Sequence, residues 1–310
     1  MASESLAARG GRIGRKAARA LAAAAGAAAL VFLLAGAPIL VAAKDGMPVL
    51  APKALFEALA GWVRGLSDGE SFRYVVGTTS WSLLKEAPRF LAVSFANLAI
   101  PGAAGVFLGA LAGTVLRPRR RGWQDRAVDA FAATPDFIVA LAAQAVAIGI
   151  LAPLGLRIRI GPGRAGLSLL GLAVMGIYPF CFAYRAAARA SRSVEGSDYV
   201  AYARSKGLSE REILRRHVGA AVVPALANEL PTILSFMQGT LFIVEYLFGL
   251  PGVARFLFSA AFSGRRRGFY EVYQYDLGVF VLAGLGLAYA LVYAFVRLAL
   301  ALARKALAHE

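Results

Sequence analysis

Few residues in this sequence have the types and the spacing that covalent or metal chemistry requires. The chain holds one cysteine, Cys181, and two histidines, His217 and His309. A single cysteine cannot form an internal disulfide, and structural zinc sites take four cysteine or histidine ligands. No nucleophile, base and orienting group fall into a recognisable set. The sequence therefore predicts no catalytic residue, no metal site and no bound cofactor, and His217 is interpreted as a packed helix residue.

Two glutamates, Glu229 and Glu245, lie in or beside a long apolar stretch. An acid at the centre of a bilayer costs about 2.5–3.5 kcal/mol on insertion scales, so such residues usually face protein or water. Two interpretations stay open for both. They belong to a polar pore lining or outer gate, together with Pro251 and Gly252, or they are structural residues paired with a neighbour. The structural interpretation is favoured for Glu245, which falls near the outer end of its stretch.

A short polar segment after residue 197 carries the strongest local signals in the sequence. Asp198–Lys206 has the composition of a short helix, and Gly207 suits the left-handed residue that ends one. Ser209 then suits the N-cap of a second helix, and Glu212, three residues later, completes a capping box with it. The segment therefore predicts two short helices joined by a sharp glycine turn.

The residues around this turn predict that it is rigid. Leu208 precedes the N-cap and Ile213 occupies the fourth helical position, so their side chains can form a hydrophobic staple. A rigid helix is a good device for docking into a groove of another protein. We therefore expect this elbow to be a docking element. The alternative interpretation is a basic loop that only satisfies the positive-inside rule.

The composition indicates that these residues belong to a membrane protein. Apolar residues make up 59% of the 310 residues and charged residues 17%, whereas soluble domains have about 45–50% and 25%. Disordered chains are poor in apolar residues and are excluded. The net charge of +16 does not indicate nucleic-acid binding, because the basic residues are spread over loops on opposite sides of the membrane.

Six stretches are long and apolar enough to cross a bilayer core about 30 Å thick as helices. Their approximate bounds are Ala18–Ala43, Phe90–Leu116, Ala127–Leu151, Gly166–Tyr184, Ala220–Phe248 and Leu277–Ala303. The predicted fold class is therefore an all-α membrane protein with about six transmembrane helices. The first stretch follows a basic segment, as in a signal peptide. It is about twice as long as a typical signal h-region, so we expect an uncleaved span.

The basic residues set the expected orientation of these spans. With both termini in the cytoplasm, 21 of the 34 lysines and arginines fall on the cytoplasmic side, as the positive-inside rule requires. Arg265-Arg266-Arg267 falls outside against this rule, and its role stays open between lipid headgroups, an acidic face of another protein and a solvated turn. The expected organisation is a cytoplasmic tail (1–17), a first span (18–43), an outer loop with one or two surface helices (44–89), a core of five spans (90–303) that includes a cytoplasmic loop (185–219), and a cytoplasmic tail (304–310).

The elbow resembles the EAA loop of the permease subunits of ABC importers, most of all in the peptide/nickel branch of oligopeptide and dipeptide permeases. The matching residues are Asp198, Tyr199, Val200, Ala203, Arg204, Lys206, Gly207, Leu208 and Ser209, followed by His217 and Pro224. The segment Glu245-Tyr-Leu-Phe-Gly-Leu-Pro-Gly-Val253 and the Pro135-Asp-Phe137 triplet also resemble that branch. Its Pro-Gly-Asp-Pro after the first span and its Asp-Pro-Arg tail are missing here, and these departures bear on the substrate rather than the fold.

The resemblance implies the fold of a type I ABC importer permease, with a coupling loop that docks on an ATPase. The residues implied in coupling are Asp198, Tyr199, Ala203, Arg204, Lys206, Gly207, Leu208, Ser209, Glu212 and His217. The sequence has no Gly-x-x-x-x-Gly-Lys-Ser/Thr loop, so ATP must be bound by separate ATPase subunits. The resemblance also implies a second, different permease subunit, an extracytoplasmic binding protein, a small solute such as a peptide or nickel, and a bacterial-type inner membrane.

Two other functions stay open on the sequence alone. An ion-coupled secondary transporter would use intramembrane acids and would show matching halves with broken helices. We find no convincing pair of halves. A non-transporting membrane scaffold would recruit a soluble partner through the same elbow.

Overall fold

The computed structural model describes residues 2–44, 47–76, 79–116, 122–156, 158–261 and 273–308. These residues are mostly helical. They form two compact units, Met1–Glu86 with Leu257–Gly284 and Ala87–Phe256 with Leu285–Glu310. The run Arg265-Arg266-Arg267 lies outside the described residues.

The first unit contains the long helix α1 (Ala2–Ala35) and most of the short elements of the chain. Those elements are α2 (Ala37–Leu40), β1 (Val41–Lys44), β2 (Met47–Leu50), α3 (Pro52–Asp68), a 3-10 turn (Glu70–Phe72), β3 (Arg73–Val76) and β4 (Thr79–Ser82). β1 pairs antiparallel with β2, and β3 pairs antiparallel with β4. The core of this unit contains Ala35, Tyr275 and Val279, with Phe32 and Trp62 packed against them.

The predicted C-terminal end of the first span is wrong. The sequence predicts helix as far as Ala43, whereas α1 ends at Ala35 and residues 41–43 belong to β1. Pro38 has no backbone N–H and so cannot continue the hydrogen bonds of α1. A Cβ at Gly36 would collide with Leu55 of α3, so the glycine lets the two helices approach at this bend. α3 agrees with the surface helix expected in the loop at 44–89, and the two hairpins were not predicted.

The other helices follow in chain order. They are α4 (Leu83–Val115), α5 (Trp123–Ala133), α6 (Asp136–Val146, extended by a π turn at Ala147–Leu151), α7 (Leu169–Glu195), α8 (Asp198–Ser205), α9 (Glu210–Ile213), α10 (Gly219–Leu247), α11 (Val253–Ala260) and α12 (Tyr275–Ala308). Within the second unit, α7 packs most extensively against α10 and next against α5. α7 also extends to Glu195, well beyond the predicted end at Tyr184, so the first third of the loop expected at 185–219 is helical.

Four helices are long and apolar enough to cross a membrane, namely α4, α7, α10 and the part of α12 from Tyr275 to Lys305. α5 and α6 together qualify as a fifth, bent span, and the apolar part of α1, Leu21–Ala35, is shorter. The predicted fold class, a mostly helical membrane protein, is confirmed. The described residues hold four to five span candidates, close to the six predicted.

The third predicted span is not one straight helix. α5 and α6 meet at an angle of 105°, on either side of Thr134 and Pro135. Proline lacks the N–H that a helix needs and disfavours helical backbone in the residue before it, and Thr134 has extended torsions (φ −76°, ψ 131°). The hydroxyl of Tyr178 in α7 donates a hydrogen bond to the Thr134 carbonyl oxygen. The break is therefore held by the neighbouring helix.

Glycines at four-residue spacing let α4 lie close to α7. A Cβ on Gly105 would be 2.7 Å from the Gly176 carbonyl oxygen, and one on Gly113 would be 2.5 Å from the Tyr184 carbonyl oxygen. Small residues at this spacing are typical of close contacts between membrane helices. The structure identifies α7 as the close partner of α4.

Candidate functional site at the two ends of one long helix

One continuous helical run carries a candidate site at each end. α9 passes into a π turn, Leu214–Val218, and then into α10, so helical backbone extends from Glu210 to Leu247. The predicted elbow precedes the N-terminal end of this run. Glu245 lies in its last turn. One helical run therefore joins the elbow to Glu245.

The elbow turn at Gly207 has the predicted left-handed backbone, with φ +80°. The N–H of Leu208 donates to the Ala203 carbonyl oxygen at 3.2 Å, and that of Gly207 donates to the Arg204 carbonyl oxygen at 3.0 Å. These two bonds are the Schellman motif, which satisfies the last carbonyl groups of a helix. A Cβ at Gly207 would meet nothing within 4 Å. Glycine is needed here for its backbone conformation and not for space.

The second helix of the elbow begins at the predicted N-cap. Ser209 has extended torsions (φ −67°, ψ 152°), and its hydroxyl oxygen accepts a hydrogen bond from the Glu212 N–H at 3.3 Å. This half of the predicted capping box is confirmed. Ile213 is fully buried and Leu208 is half-buried. The residues on both sides of the turn are thus fixed by local bonds and burial.

A solvent-exposed ion pair bridges the elbow turn. Arg204 Nε donates to Glu210 Oε1 at 2.8 Å, and Nη2 donates to Oε2 at 3.4 Å. This hydrogen bond and the nearby negative charge raise the pKa of the Arg204 guanidinium. Both side chains are exposed, so the pair contributes little to stability. The pair therefore spans the turn between α8 and α9 on its exposed side.

The outer face of α8 is aromatic and basic. Val200 is fully buried, whereas the side chains of Tyr199 and Tyr202 are 47% and 61% exposed. The Lys206 ammonium lies 4.5 Å from the centre of the Tyr202 ring, and the rings of Tyr199 and His217 are 5.5 Å apart. Such a face combines a rigid backbone with large amphipathic side chains, which is typical of protein interfaces. His217 lies in the π turn and is half-buried.

Three arginines on one face of α7 pair with acids of two neighbouring helices. The pairs and their N···O distances are Arg185 with Asp129 at 3.5 Å, Arg189 with Glu229 at 2.8 Å and Arg192 with Asp125 at 3.3 Å. The arginines are spaced i, i+4, i+7, which places them on one helix face. α7 is thereby tied to both α5 and α10, just before the chain enters the elbow.

The position of Glu229 favours the structural interpretation. Its carboxylate is 31% exposed and forms the ion pair with Arg189. A paired, partly exposed glutamate does not carry the cost of an isolated acid in the bilayer. The geometry thus gives Glu229 a role in tying α10 to α7.

The other end of the helical run has the same backbone motif as the elbow. Gly249 has φ +66°. The N–H of Leu250 donates to the Glu245 carbonyl oxygen at 2.9 Å, and that of Gly249 donates to the Tyr246 carbonyl oxygen at 3.2 Å. These bonds form a second Schellman motif. The chain then turns directly into α11.

The Glu245 side chain is fully buried beside the start of α11. Ser94 Oγ of α4 donates to Glu245 Oε1 at 2.6 Å, and the Ala254 N–H donates to Oε2 at 2.8 Å. The Ser94 oxygen in turn accepts from the Val253 N–H at 2.8 Å. A Cβ at Gly252 would collide with the carboxylate, so this approach requires glycine. Glu245 therefore caps a helix that begins eight residues after it.

Apolar contacts reinforce this junction. The rings of Phe90 in α4 and Phe256 in α11 are stacked, with centroids 4.4 Å apart. Pro251, which is half-buried, lies beside Gly166, where a Cβ would be 3.0 Å from the proline ring. The first turn of α11 is thus held by a buried polar tie and by stacked rings.

Sequence reasoning missed the partners of these residues. Ser94 and Asn97 are isolated polar residues, spaced i, i+3, in a stretch that otherwise predicts only a span. The i, i+4, i+7 spacing of the arginines in α7 was visible in the sequence. Their acidic partners could not be chosen without the fold, because they come from other helices.

Residues 105–309 match the family model described as binding-protein-dependent transport system inner membrane component. The match covers about two thirds of the chain, including the elbow and Glu245. No curated protein matches the chain.

Proposed function

The chain belongs to the family of binding-protein-dependent transport system inner membrane components, the permease subunits of ABC importers, and we propose that it couples to its ATPase through the elbow at Asp198–Ile213. In this proposal the coupling residues are those matched in the sequence, from Asp198 to His217. The chain forms part of the path for a small solute. The work of ATP hydrolysis reaches that path through the helices on either side of the elbow.

The observation that carries this proposal is the construction of the elbow. Two terminal motifs, the Schellman turn at Gly207 and the N-cap at Ser209, fix its backbone without any partner. Its outer face still presents Tyr199 and Tyr202 to solvent. Rigid presentation of aromatic side chains lowers the entropy lost on binding. These properties support docking into a groove of another protein.

The helices next to the elbow support transmission of movement. α8 follows α7 after a short turn, and the second elbow helix is continuous with α10. α7 and α10 are packed together and tied by the Arg189–Glu229 pair. A displacement of α8 therefore acts on two packed helices at once. The sequence has no phosphate-binding loop, so the ATP belongs to a separate subunit.

The peptide/nickel resemblance supports the finer assignment. It rests on the segments Asp198–Ser209 and Glu245–Val253. We infer a peptide, nickel or related small solute, a second and different permease subunit, and an extracytoplasmic binding protein that delivers the solute. The membrane is a bacterial-type inner membrane, and both termini face the cytoplasm.

Affinity purification of the tagged chain from its own membranes tests this proposal. One variant has residues 198–213 replaced by a Gly/Ser linker, and a matched control carries Gly207→Asn, since asparagine tolerates left-handed backbone. We expect an ATPase to co-purify with the wild type and the control and to be lost from the linker variant. A folded, abundant wild-type chain that brings down no ATPase would contradict the proposal and favour a secondary transporter or a scaffold.

A further inference from the structure

The junction of α4, α10 and α11 contains a polar cluster that the proposed coupling does not use. Its centre is the Glu245 carboxylate, which is fully buried and which pairs with no lysine or arginine among the described residues. Its hydrogen bonds come instead from Ser94 of α4 and from the first turn of α11. A buried carboxylate without a cation depends on such donors, because desolvation of the charge is expensive.

The start of α11 suits this carboxylate. The first N–H groups of a helix have no partner within the helix, and its N-terminus carries partial positive charge. Glu245 accepts a hydrogen bond from the Ala254 N–H. Ser94 accepts one from the Val253 N–H and donates one to Glu245. The hydrogen bonds to a charged acceptor are stronger than those between neutral groups. Three helices are therefore joined through one charge.

Asn97 gives the cluster a second set of donors. It lies one turn after Ser94 on the same face of α4 and is fully buried beside the Glu245 carboxylate. Its amide already lies close enough to act on the Glu245 carboxylate, but among the described residues neither its nitrogen nor its oxygen makes a hydrogen bond of normal geometry. Buried polar groups without partners are rare and destabilising. A small shift of the carboxylate towards α4 would let it accept a hydrogen bond from Asn97 Nδ2 and would release the Ala254 N–H.

We propose that Glu245 is a positioning residue in a releasable latch, whose closed state holds the first turn of α11 against α4. In the closed state the carboxylate binds Ser94 and the Ala254 N–H. In the open state it binds the Asn97 amide, and the first turn of α11 moves away. The proposal rests on the permease function above, in which this junction lies at the outer end of the path. Gly252 is part of the latch, because any side chain there would displace the carboxylate.

Thiol modification of the full chain in its membranes tests the latch. A cysteine is introduced as Val253→Cys, at a buried position of the first turn of α11, or as Ala254→Cys where the first variant does not accumulate. A small methanethiosulfonate reagent is applied, and its reaction rates at this cysteine and at the native Cys181 are measured by mass spectrometry. Cys181 is buried in α7, so it reports any general loosening of the fold.

The latch predicts opposite effects for substitutions that weaken its closed state and for those that weaken its open state. Glu245→Gln should raise the modification rate at the introduced cysteine about tenfold, because it weakens every bond to the carboxylate. Ser94→Ala should raise it about threefold, because the bond from the Ala254 N–H remains. Asn97→Leu should lower that rate about threefold, because it removes the partner of the open state. The exposed Glu57→Gln should leave the rate unchanged, and Cys181 should stay unreactive in every variant.

Two results would overturn the latch. Equal rates in the wild type and in Glu245→Gln would show that the carboxylate does not hold α11. A higher modification rate in both Glu245→Gln and Asn97→Leu would show that the cluster serves only to stabilise the fold. Reaction of Cys181 together with the introduced cysteine would show the same. The measurement needs neither ATPase nor solute. A failure of ATPase docking at the elbow would therefore leave its result unaffected.

Discussion

The two ends of the helical run from Glu210 to Leu247 share a backbone design and differ in their surroundings. At both ends a left-handed glycine, Gly207 or Gly249, is followed by a leucine whose N–H closes a Schellman motif. A new helix begins within a few residues of each turn. The same local solution thus serves twice along one helix.

The difference lies in the source of the cap and in burial. The turn at Gly207 is followed by a helix that Ser209 caps locally, and Tyr202 beside it is 61% exposed. The turn at Gly249 leads to a helix capped by Glu245, a residue of the preceding helix that is fully buried. A locally capped, exposed turn keeps its shape while another protein binds it. A remotely capped, buried turn depends on the arrangement of its neighbours and changes when they move.

The largest effect is expected for Gly252→Ala, just beyond the C-terminal end of the run. Its Cβ would collide with the buried Glu245 carboxylate, which could move away only by giving up its bonds to Ser94 and Ala254. We expect a loss of stability of about 3 kcal/mol, at the upper end of overpacking costs. Thermal unfolding of the purified chain in detergent would measure it. Gly207→Ala is the comparison at the other end of the run, where the Cβ meets open space and only the left-handed backbone opposes it, at about 1–2 kcal/mol. An equal loss in both variants would remove the contrast.

The next effect is expected for Arg192→Met in α7. The partner side chain of Asp125 is only 8% exposed, so its carboxylate would be left buried without a cation. We expect a loss of about 2 kcal/mol. Arg189→Met should cost clearly less, because the Glu229 side chain is 31% exposed. Melting temperatures of the two variants in the same detergent compare them, and the same shift for both would show that burial does not decide the effect.

A functional effect with little loss of stability is expected for Gly207→Val. A β-branched residue in left-handed backbone costs about 1–2 kcal/mol, which the elbow can relieve by changing its angle. We expect about a tenfold loss of co-purifying ATPase, since about 1.4 kcal/mol corresponds to a tenfold change in a binding constant. Gly207→Asn should retain the ATPase. Normal ATPase recovery with valine would mean that the angle of the elbow does not matter for docking.

The smallest effect is expected for the exposed Arg204–Glu210 pair. Removal of either charge should not measurably change the melting temperature, because exposed ion pairs are screened by water and salt. If Arg204→Met lost ATPase binding at every salt concentration tested, the guanidinium would instead be assigned to direct contact with the ATPase. A clear drop in melting temperature would contradict the view that this exposed pair contributes little to stability.

Local features of the candidate sites could be predicted from the sequence, and long-range ones could not. Gly207 and Ser209 were identified because a glycine turn and an N-cap depend only on neighbouring residues. The sequence prediction treats residues 127–151 as one span and misses the break at Pro135, although proline gives a physical reason for a break. The bonds of Glu245 to Ser94 join residues far apart in the chain. Hydropathy shows that such residues need partners but not which ones they find.

The short strands illustrate a different limit. β1 to β4 have four residues each, too few for an alternating pattern to stand out from an ordinary loop. The first predicted span ran into β1 for the same reason, since Val41, Ala42 and Ala43 are apolar in either structure. Only the bend at Gly36 and Pro38 marks where the helix ends.

Site-specific photo-crosslinking tests the central claim, that the exposed elbow is the ATPase contact, most directly. Tyr202 and Tyr246 are both 61% exposed and lie at opposite ends of the helical run. A benzophenone amino acid would replace each in turn, and irradiated membranes would be analysed for crosslinked partners. We predict that position 202 crosslinks to an ATPase subunit and that position 246 does not. An ATPase crosslink at 246, or none at 202 in a folded chain, would contradict the account.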